Sequence, residues 1–496
     1  MASIEEIRIE RLKKLELLKE KGMNPYPIAT KRTMSVGDAL ASFTELSQAE
    51  KKLTLAGRVM AIRGQGALIF FNIQDGESSI QGFLKKDEVK DDLLALFQDA
   101  VDLGDFIEVT GTLFVTKREE KTILVKGWNM LAKSLRPLPD KWHGLQDVEE
   151  RFRKRYLDLL MSAEVRERFM LRSRIITEIR TFLNDADYME VETPLLQSLA
   201  GGALAEPFNT HHNALDIDLC LRIAPELYLK KLLVGGYPRV YELGRNFRNE
   251  GIDATHNPEF TMLEFYAAYE TAETQMAFVE KMLKAIVKRV IKGTKVLAGL
   301  PAQAGDDTID FSKKFTVVSF LDLFKRYASI ESPETMSRDD WKLAAERFGV
   351  RVENHDSVEK IMDNVYKKAC RPKIVQPTFI IDYPAGFSPF AKKQEVNPSL
   401  IDRFQLVVGG IEMVNAFSEL NDPLDQRARY EEQDKKKKGG EGDVSPSDED
   451  YLEAIEHGLP PAGGVGIGID RVVMLLTNTR NIREVVLFPT MRPKED

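Results

Sequence analysis

The chain has 496 residues, 43% hydrophobic and 30% charged, enough for two or three domains with a sizeable core, which excludes a wholly disordered protein. Its formal charge of -8 excludes electrostatic coating of nucleic acid by the surface as a whole. Local basic stretches, the N-terminal helix and Arg151 to Arg155, remain available for such contact. No apolar run reaches membrane-spanning length and the N-terminus lacks a signal-type apolar core, so the expectation is a cytoplasmic protein with no membrane partner. Cys220 and Cys370 lack metal-site spacing and read as ordinary thiols.

In chain order, residues 1–52 form an N-terminal helical extension. Ile4, Ile7, Ile9, Leu12, Leu15 and Leu18 recur among charges, which predicts a surface helix over 3–21 ended by Gly22, with packing preferred over nucleic-acid contact. Residues 53–135 change texture to five short strands, LTLAGRVMAI, ALIFFNIQD, SSIQGFL, DFIEVTGTLFVT and KTILVKGWNML. That pattern suggests a small closed barrel of the oligonucleotide-binding type. Its reading face would carry Arg63, Phe70, Gln81 and Glu120, a mixture suited to stacking bases and bonding their edges; Phe70 as plain barrel core is an even alternative.

A proline-containing linker at 136–150 leads into a larger domain, 151–496, with an insertion within 271–400. Its first long helix is predicted over Ala163 to Asn184, with Phe169, Ile176, Ile179 and Leu183 on one stripe and a strand near Pro194. The polar, glycine-rich text DKKKKGGEGDVSPSDED at 434–450 predicts a loop.

The chemistry concentrates in RVYELGRNFRNEGIDATHNPEFTMLEFY at 239–266, two alternating strands around a polar loop. Apolar alternation does not tolerate unpaired carboxylates and guanidiniums, so this density of charge predicts a site for a charged, phosphate-bearing substrate. Phe260, Met262, Glu264 and Tyr266 share one strand face; a carboxylate beside rings suits a primary ammonium, with a structural salt bridge as the alternative. Arg248 and Glu250 share parity on the preceding strand, where an arginine fork can grip phosphate and carboxylate, and His256 adds a possible phosphate contact. In GGIEMVNAFSELNDP at 409–423, Asn415, Phe417 and Glu419 alternate, with Glu412 upstream. Two carboxylates near polyphosphate commonly hold Mg²⁺. GGVGIGIDRVVMLL at 463–476 places Arg471 at a helix start, able to stack on a purine; it is not a dinucleotide fingerprint.

At these residues the chain closely resembles bacterial-type class II lysyl-tRNA synthetases, from the N-terminal helix through the barrel to LFPTMRPK. Three family signatures appear as MEVETP, as RNFRNEG through PEFTMLEFY, and as GIGIDRVVMLL; LRIAPELYLK, GGA, THHNALD, LEFY and NAFSELNDP point to the lysyl members. The resemblance implies an α+β fold: an N-terminal OB-fold barrel that binds the anticodon, then a catalytic domain built on an antiparallel sheet flanked by helices. It implies a lysine–tRNA ligase that forms lysyl-adenylate from ATP with Mg²⁺, then transfers lysine to the 3′ end of tRNA-Lys, as a homodimer through the long helix.

By the same resemblance Gly202 and Glu226 bind the α-amino group, Arg248 and Asn415 the carboxylate, and Glu264 with Tyr266 the ε-amino group, while Phe417 and Glu419 complete the pocket. Adenine would lie between Phe260 and Arg471, with Glu250 beside it, the α-phosphate on Arg248 and the γ-phosphate near His256 and Arg471. Glu412 and the residue at 405 would hold metal. Arg63, Phe70, Gln81 and Glu120 would read the anticodon.

Three departures stand out: Gln405 replaces the family's glutamate ligand, AEPF puts Glu206 where arginine is usual, and the barrel turn RGQGAL lacks an expected lysine. The alternatives are a lysyl-adenylate-forming paralogue that modifies a protein lysine or makes dinucleotide tetraphosphates, and a degenerate RNA-binding protein without catalysis.

Overall fold

The computed structural model describes residues 3–64, 67–139, 145–203, 205–297, 308–438 and 446–494. The barrel turn at 65–66 and part of the linker, 140–144, lie outside the described residues. The chain divides into two compact units, Met1–Gln146 and Asp147–Asp496.

In the first unit five strands, Leu53–Arg63, Leu68–Asp75, Ser78–Lys85, Phe106–Val115 and Lys121–Ala132, close into a barrel. Alternation drives closure: Leu55, Val59, Phe71, Ile73, Val109 and Val125 are buried inside. A helix the sequence reading omitted, Asp91–Ala100, sets Phe97 edge-on to Trp128 at 5.3 Å, and the Trp128 indole donates to the Leu93 carbonyl at 2.9 Å.

The N-terminal helix spans Ile4–Glu20 and begins with a Ser3–Glu6 capping box. Its expected apolar stripe is only partly used: Leu15 and Leu18 are buried, whereas Ile4 and Ile9 are exposed. Arg11 packs instead, donating to the carbonyls of Leu103, Ser134 and Arg136, each at 3.0 Å. A guanidinium satisfies backbone acceptors in irregular chain that no strand partner reaches.

The second unit is built on an eight-stranded sheet in the order Thr316–Ser319, Thr378–Ile381, Arg403–Val408, Ile411–Ser418, Ala462–Gly468, Glu259–Ala268, Arg239–Phe247 and Met189–Glu190. The five interior pairings are antiparallel and only the two outermost are parallel, so this is an α+β sheet and not a Rossmann one. Two strands of the 271–400 segment thus belong to the main sheet rather than to a separate insert.

Period-two alternation splits the sheet's two faces. Leu263, Phe265, Ala267, Val414, Ala416, Val465 and Ile467 face a core completed by the Ala163–Asn184 and Ala272–Ile286 helices. The long helix buries Ile179 and Leu183 of the predicted stripe; towards its start Arg168 and Ile175 take the inner positions, and Phe169 and Ile176 are half-buried. Near Pro194 the strand is confined to Leu196–Gln197. The segment expected to be loop from 434 is helical as far as Lys438, the end of a helix that starts at Pro423, and 439–445 lie outside the described residues. Both cysteines are buried and free.

Candidate active site

The other face of the sheet walls a cavity of about 310 Å³. The strand Glu259–Ala268 sends Phe260, Met262, Glu264 and Tyr266 into it, as the parity argument requires. Gly464 and Gly466 come from the neighbouring strand and have no side chain to fill the space. A Cβ on Gly464 would sit 1.9 Å from the Glu419 carboxylate and 2.4 Å from the Tyr266 ring, so only glycine leaves this end open.

At this end Glu264 is buried and accepts a hydrogen bond from the Tyr266 hydroxyl at 3.0 Å. Burial and the nearby Glu226 push the Glu264 carboxyl up to about 8, against the pull of Tyr266, Arg248 and Arg222. Gly202 meets Glu226 from a loop with φ +82°, and a Cβ there would lie 2.7 Å from the Glu226 Cβ. Phe417 and Phe390 close the apolar sides. Glu419 is buried behind Gly464 and does not line the cavity; it pairs with Lys230.

At the opposite end, Arg248 and Glu250 line the cavity, yet they stand beyond the strand, which ends at Phe247. Their position comes from loop bonds: the Arg248 N–H donates to the Pro258 carbonyl and the Asn249 N–H to that of Glu206, both at 2.8 Å. Glu206 is exposed. The Arg248 guanidinium lies 5.1 Å from the Phe260 ring centroid, and its Nε is buried without a hydrogen-bond partner. Burial lowers its pKa, opposed by Glu250 and Glu264.

Arg471 donates to the Glu412 carbonyl and to His256 Nε2, each at 3.0 Å. Because arginine only donates, His256 Nε2 accepts, so Nδ1 carries the proton and donates it to Asp253 at 2.8 Å. Asp470, which the sequence reading passed over, fixes this corner. It accepts from Arg172 at 2.6 Å and from the Thr261 N–H at 2.7 Å, tying the start of the Ile469–Leu476 helix to sheet and long helix. Its only signal in the sequence was an acid in the first turn of a helix.

Arg403, also passed over, lines the cavity, donates to the Asn415 amide oxygen at 2.9 Å and lies 4.6 Å from the Tyr383 ring centroid. Two strand positions on, Gln405 is buried, does not line the cavity, and accepts the Tyr383 hydroxyl at 2.8 Å. Of the two expected metal ligands, then, the cavity receives only Glu412. Among the described residues no cluster of three or more His, Cys, Asp or Glu could hold an ion alone. One carboxylate still fits Mg²⁺ when substrate phosphates and water supply the other oxygens.

On the barrel, Phe70 stacks on Phe83 at 4.4 Å with 12° between planes, and Phe114 adjoins Phe83 at 6.2 Å. Arg63 pairs in register with Phe70; Gln81 accepts from Thr122 at 2.9 Å, and Thr122 also bonds the Glu120 carbonyl. Arg63, Phe70 and Gln81 thus lie on three successive paired strands, and Glu120 precedes the strand whose Thr122 pairs with Gln81. Phe83 and Phe114, missed in the sequence, sit half-buried among them, and Phe83 shares parity with Gln81.

One chain thus carries a mostly antiparallel sheet with a charged, cavity-bearing face in one unit and a five-stranded barrel with an aromatic surface in the other. A family model described as tRNA synthetases class II (D, K and N) matches residues 147–492, and one described as an OB-fold nucleic acid binding domain matches 53–131. Among curated relatives, the lysine–tRNA ligase of Pelotomaculum thermopropionicum is 45% identical over 99% of this chain and 96% of its own. That of Moorella thermoacetica is 46% identical over 98% of both, and that of Bacillus cereus 44% over 98% and 97%. The chain belongs to the class II tRNA synthetases of the D, K and N type, in the lysine–tRNA ligase family.

Proposed function

We propose that the protein is a lysine–tRNA ligase: it activates L-lysine with ATP to lysyl-adenylate and pyrophosphate, then transfers lysine to the 3′ end of tRNA-Lys. The observation that carries the reading is a single cavity with buried carboxylates at one end and unpaired guanidinium capacity at the other. Lysine presents the complementary groups, two ammoniums and a carboxylate.

Glu264 and Tyr266 take the ε-ammonium, Glu226 and the Gly202 backbone the α-ammonium, and Arg248 with Asn415 the carboxylate. Glu419, reached only through Lys230 and Gly464, acts on the pocket from behind. Phe260 and Arg471 bracket adenine, Glu250 lies on the adenine side, and His256 with Arg471 meets the γ-phosphate. The lysine carboxylate then attacks the α-phosphorus in line, with Arg248 compensating the charge that develops there. Mg²⁺, held by Glu412 and the phosphates, supplies further charge compensation when bound. Gln405 acts on that site indirectly, through the hydrogen bond it accepts from Tyr383.

The barrel reads the anticodon with Arg63, Phe70, Gln81 and Glu120 around the stacked rings. The homodimer of this reading forms through the long Ala163–Asn184 helix, on which Met170 is an exposed apolar side chain. Among the described residues no helix is long and apolar enough to cross a membrane, in keeping with a cytoplasmic role in translation. ATP–pyrophosphate exchange with each amino acid in turn tests the first step: lysine-dependent exchange is expected, and exchange independent of lysine overturns the reading.

A further inference from the structure

Lys230 is fully buried, a rare position for a lysine. It lies on the Glu226–Val234 helix one turn after Glu226, and its ammonium pairs with Glu226 at 2.5 Å and with Glu419. Four rings surround it: Phe390 at 5.0 Å, Phe417 at 5.4 Å, Tyr451 at 5.9 Å and Tyr266 at 6.0 Å. Phe390, Phe417 and Tyr266 also wall the cavity.

We propose that Lys230 is a positioning residue that sets the charge this pocket demands of its amino acid: two ammonium groups, neither fewer nor more. The inference rests on the lysine-activating reading and adds a specificity determinant to it.

Three carboxylates converge here, Glu226, Glu264 and Glu419, and Lys230 is the one ammonium paired among them. With all groups ionised, three negative charges less one positive leave two to be met. The neighbouring guanidinium is already engaged, since Arg222 donates to Glu242 at 2.5 Å and to Thr193. Arg248 stands at the reacting end, where it answers the substrate's own carboxylate. A diamino acid therefore neutralises the pocket, whereas an isostere with a single ammonium leaves a buried carboxylate uncompensated, a costly state.

Ion pairing to Lys230 favours the charged forms of Glu226 and Glu419, while burial works against both. The hydroxyls of Tyr266, Tyr430 and Tyr451 are the other titratable groups around the ammonium, with Glu264 next to Glu226 and Tyr266, and burial raises all three phenols. Without the ammonium, Glu226 and Glu419 would protonate in the empty site, and lysine binding would have to expel those protons.

Lys230→Met, similar in length and uncharged, tests this in the full-length protein by lysine-dependent ATP–pyrophosphate exchange from pH 6 to 9. The acid limb of kcat/KM for lysine is expected to move up by about one unit, and KM for lysine at pH 7 to rise roughly ten-fold, with KM for ATP unchanged. An unmoved acid limb, or equal loss for lysine and ATP, overturns the proposal. Should the variant be unstable, its melting temperature relative to wild type decides. A charge role makes the deficit shrink as pH falls from 8 to 6, because the carboxylates can then take up protons; a packing role leaves it constant and overturns the proposal. Wild type without lysine-dependent exchange at any pH would instead refute the underlying function, a separate failure.

Discussion

Glu264 carries the sharpest chemical statement at the scale of single residues. With its carboxyl pushed up to about 8, it is largely protonated in the empty site at neutral pH and must ionise to pair with an ammonium. Lysine binding at pH 7 should therefore release a proton, and KM for lysine should fall as pH rises from 6.5 towards 8; calorimetry in buffers of different ionisation enthalpy and exchange kinetics read the two effects. Linkage gives the opposite sign for stability. The folded carboxyl holds its proton above the ordinary range, so Glu264 stabilises the empty protein most in acid, and that contribution is lost as pH rises through about 8. Glu264→Gln should lower kcat/KM for lysine roughly 10- to 150-fold, the scale of a hydrogen bond to a charged group, and leave ATP binding in place. Equal loss of both substrates would count against its role.

Secondary-structure elements explain why these side chains meet. The glycine-bearing strand Ala462–Gly468 lies against Glu259–Ala268 so closely that Gly464→Ala should force the Glu419 and Tyr266 side chains aside. Overpacking of this kind costs about 1–3 kcal/mol, to be read as a lower melting temperature together with a raised KM for lysine. Asp470→Asn should act on the other end: weakening the ties to Arg172 and Thr261 loosens the helix start that aims Arg471, lowering kcat more than substrate affinity in exchange assays. The parity of PEFTMLEFY and the five barrel strands was legible because side-chain period and burial coincide there. The placement of Arg248 and Glu250 was not, since they stand on loop hydrogen bonds to Glu206 and Pro258 that no local pattern announces. Lys230, Asp470 and Arg172 were missed for a related reason: each is a charge on an otherwise ordinary helix, and only its distant partners give it meaning. Gln405 shows the limit from the other side, a position noted in the sequence whose side chain is committed to Tyr383, residues away in the chain.

For the molecule as a whole, the two units divide the labour that the proposed reaction requires. In that proposal the catalytic unit takes amino acid and nucleotide, while the barrel carries the stacked face of Phe70 and Phe83. Phe83→Ala should raise KM for tRNA roughly 5- to 150-fold, the scale of losing one stacked base, while exchange without tRNA is unchanged; a matching fall in exchange would refute a recognition role for that face. Selection of lysine by this pocket for transfer to tRNA is read out by measuring transfer of each of the twenty amino acids to total tRNA at several Mg²⁺ concentrations. Charging with lysine alone is the expected result. Charging with another amino acid, or lysine adenylation with no transfer to tRNA, would contradict it.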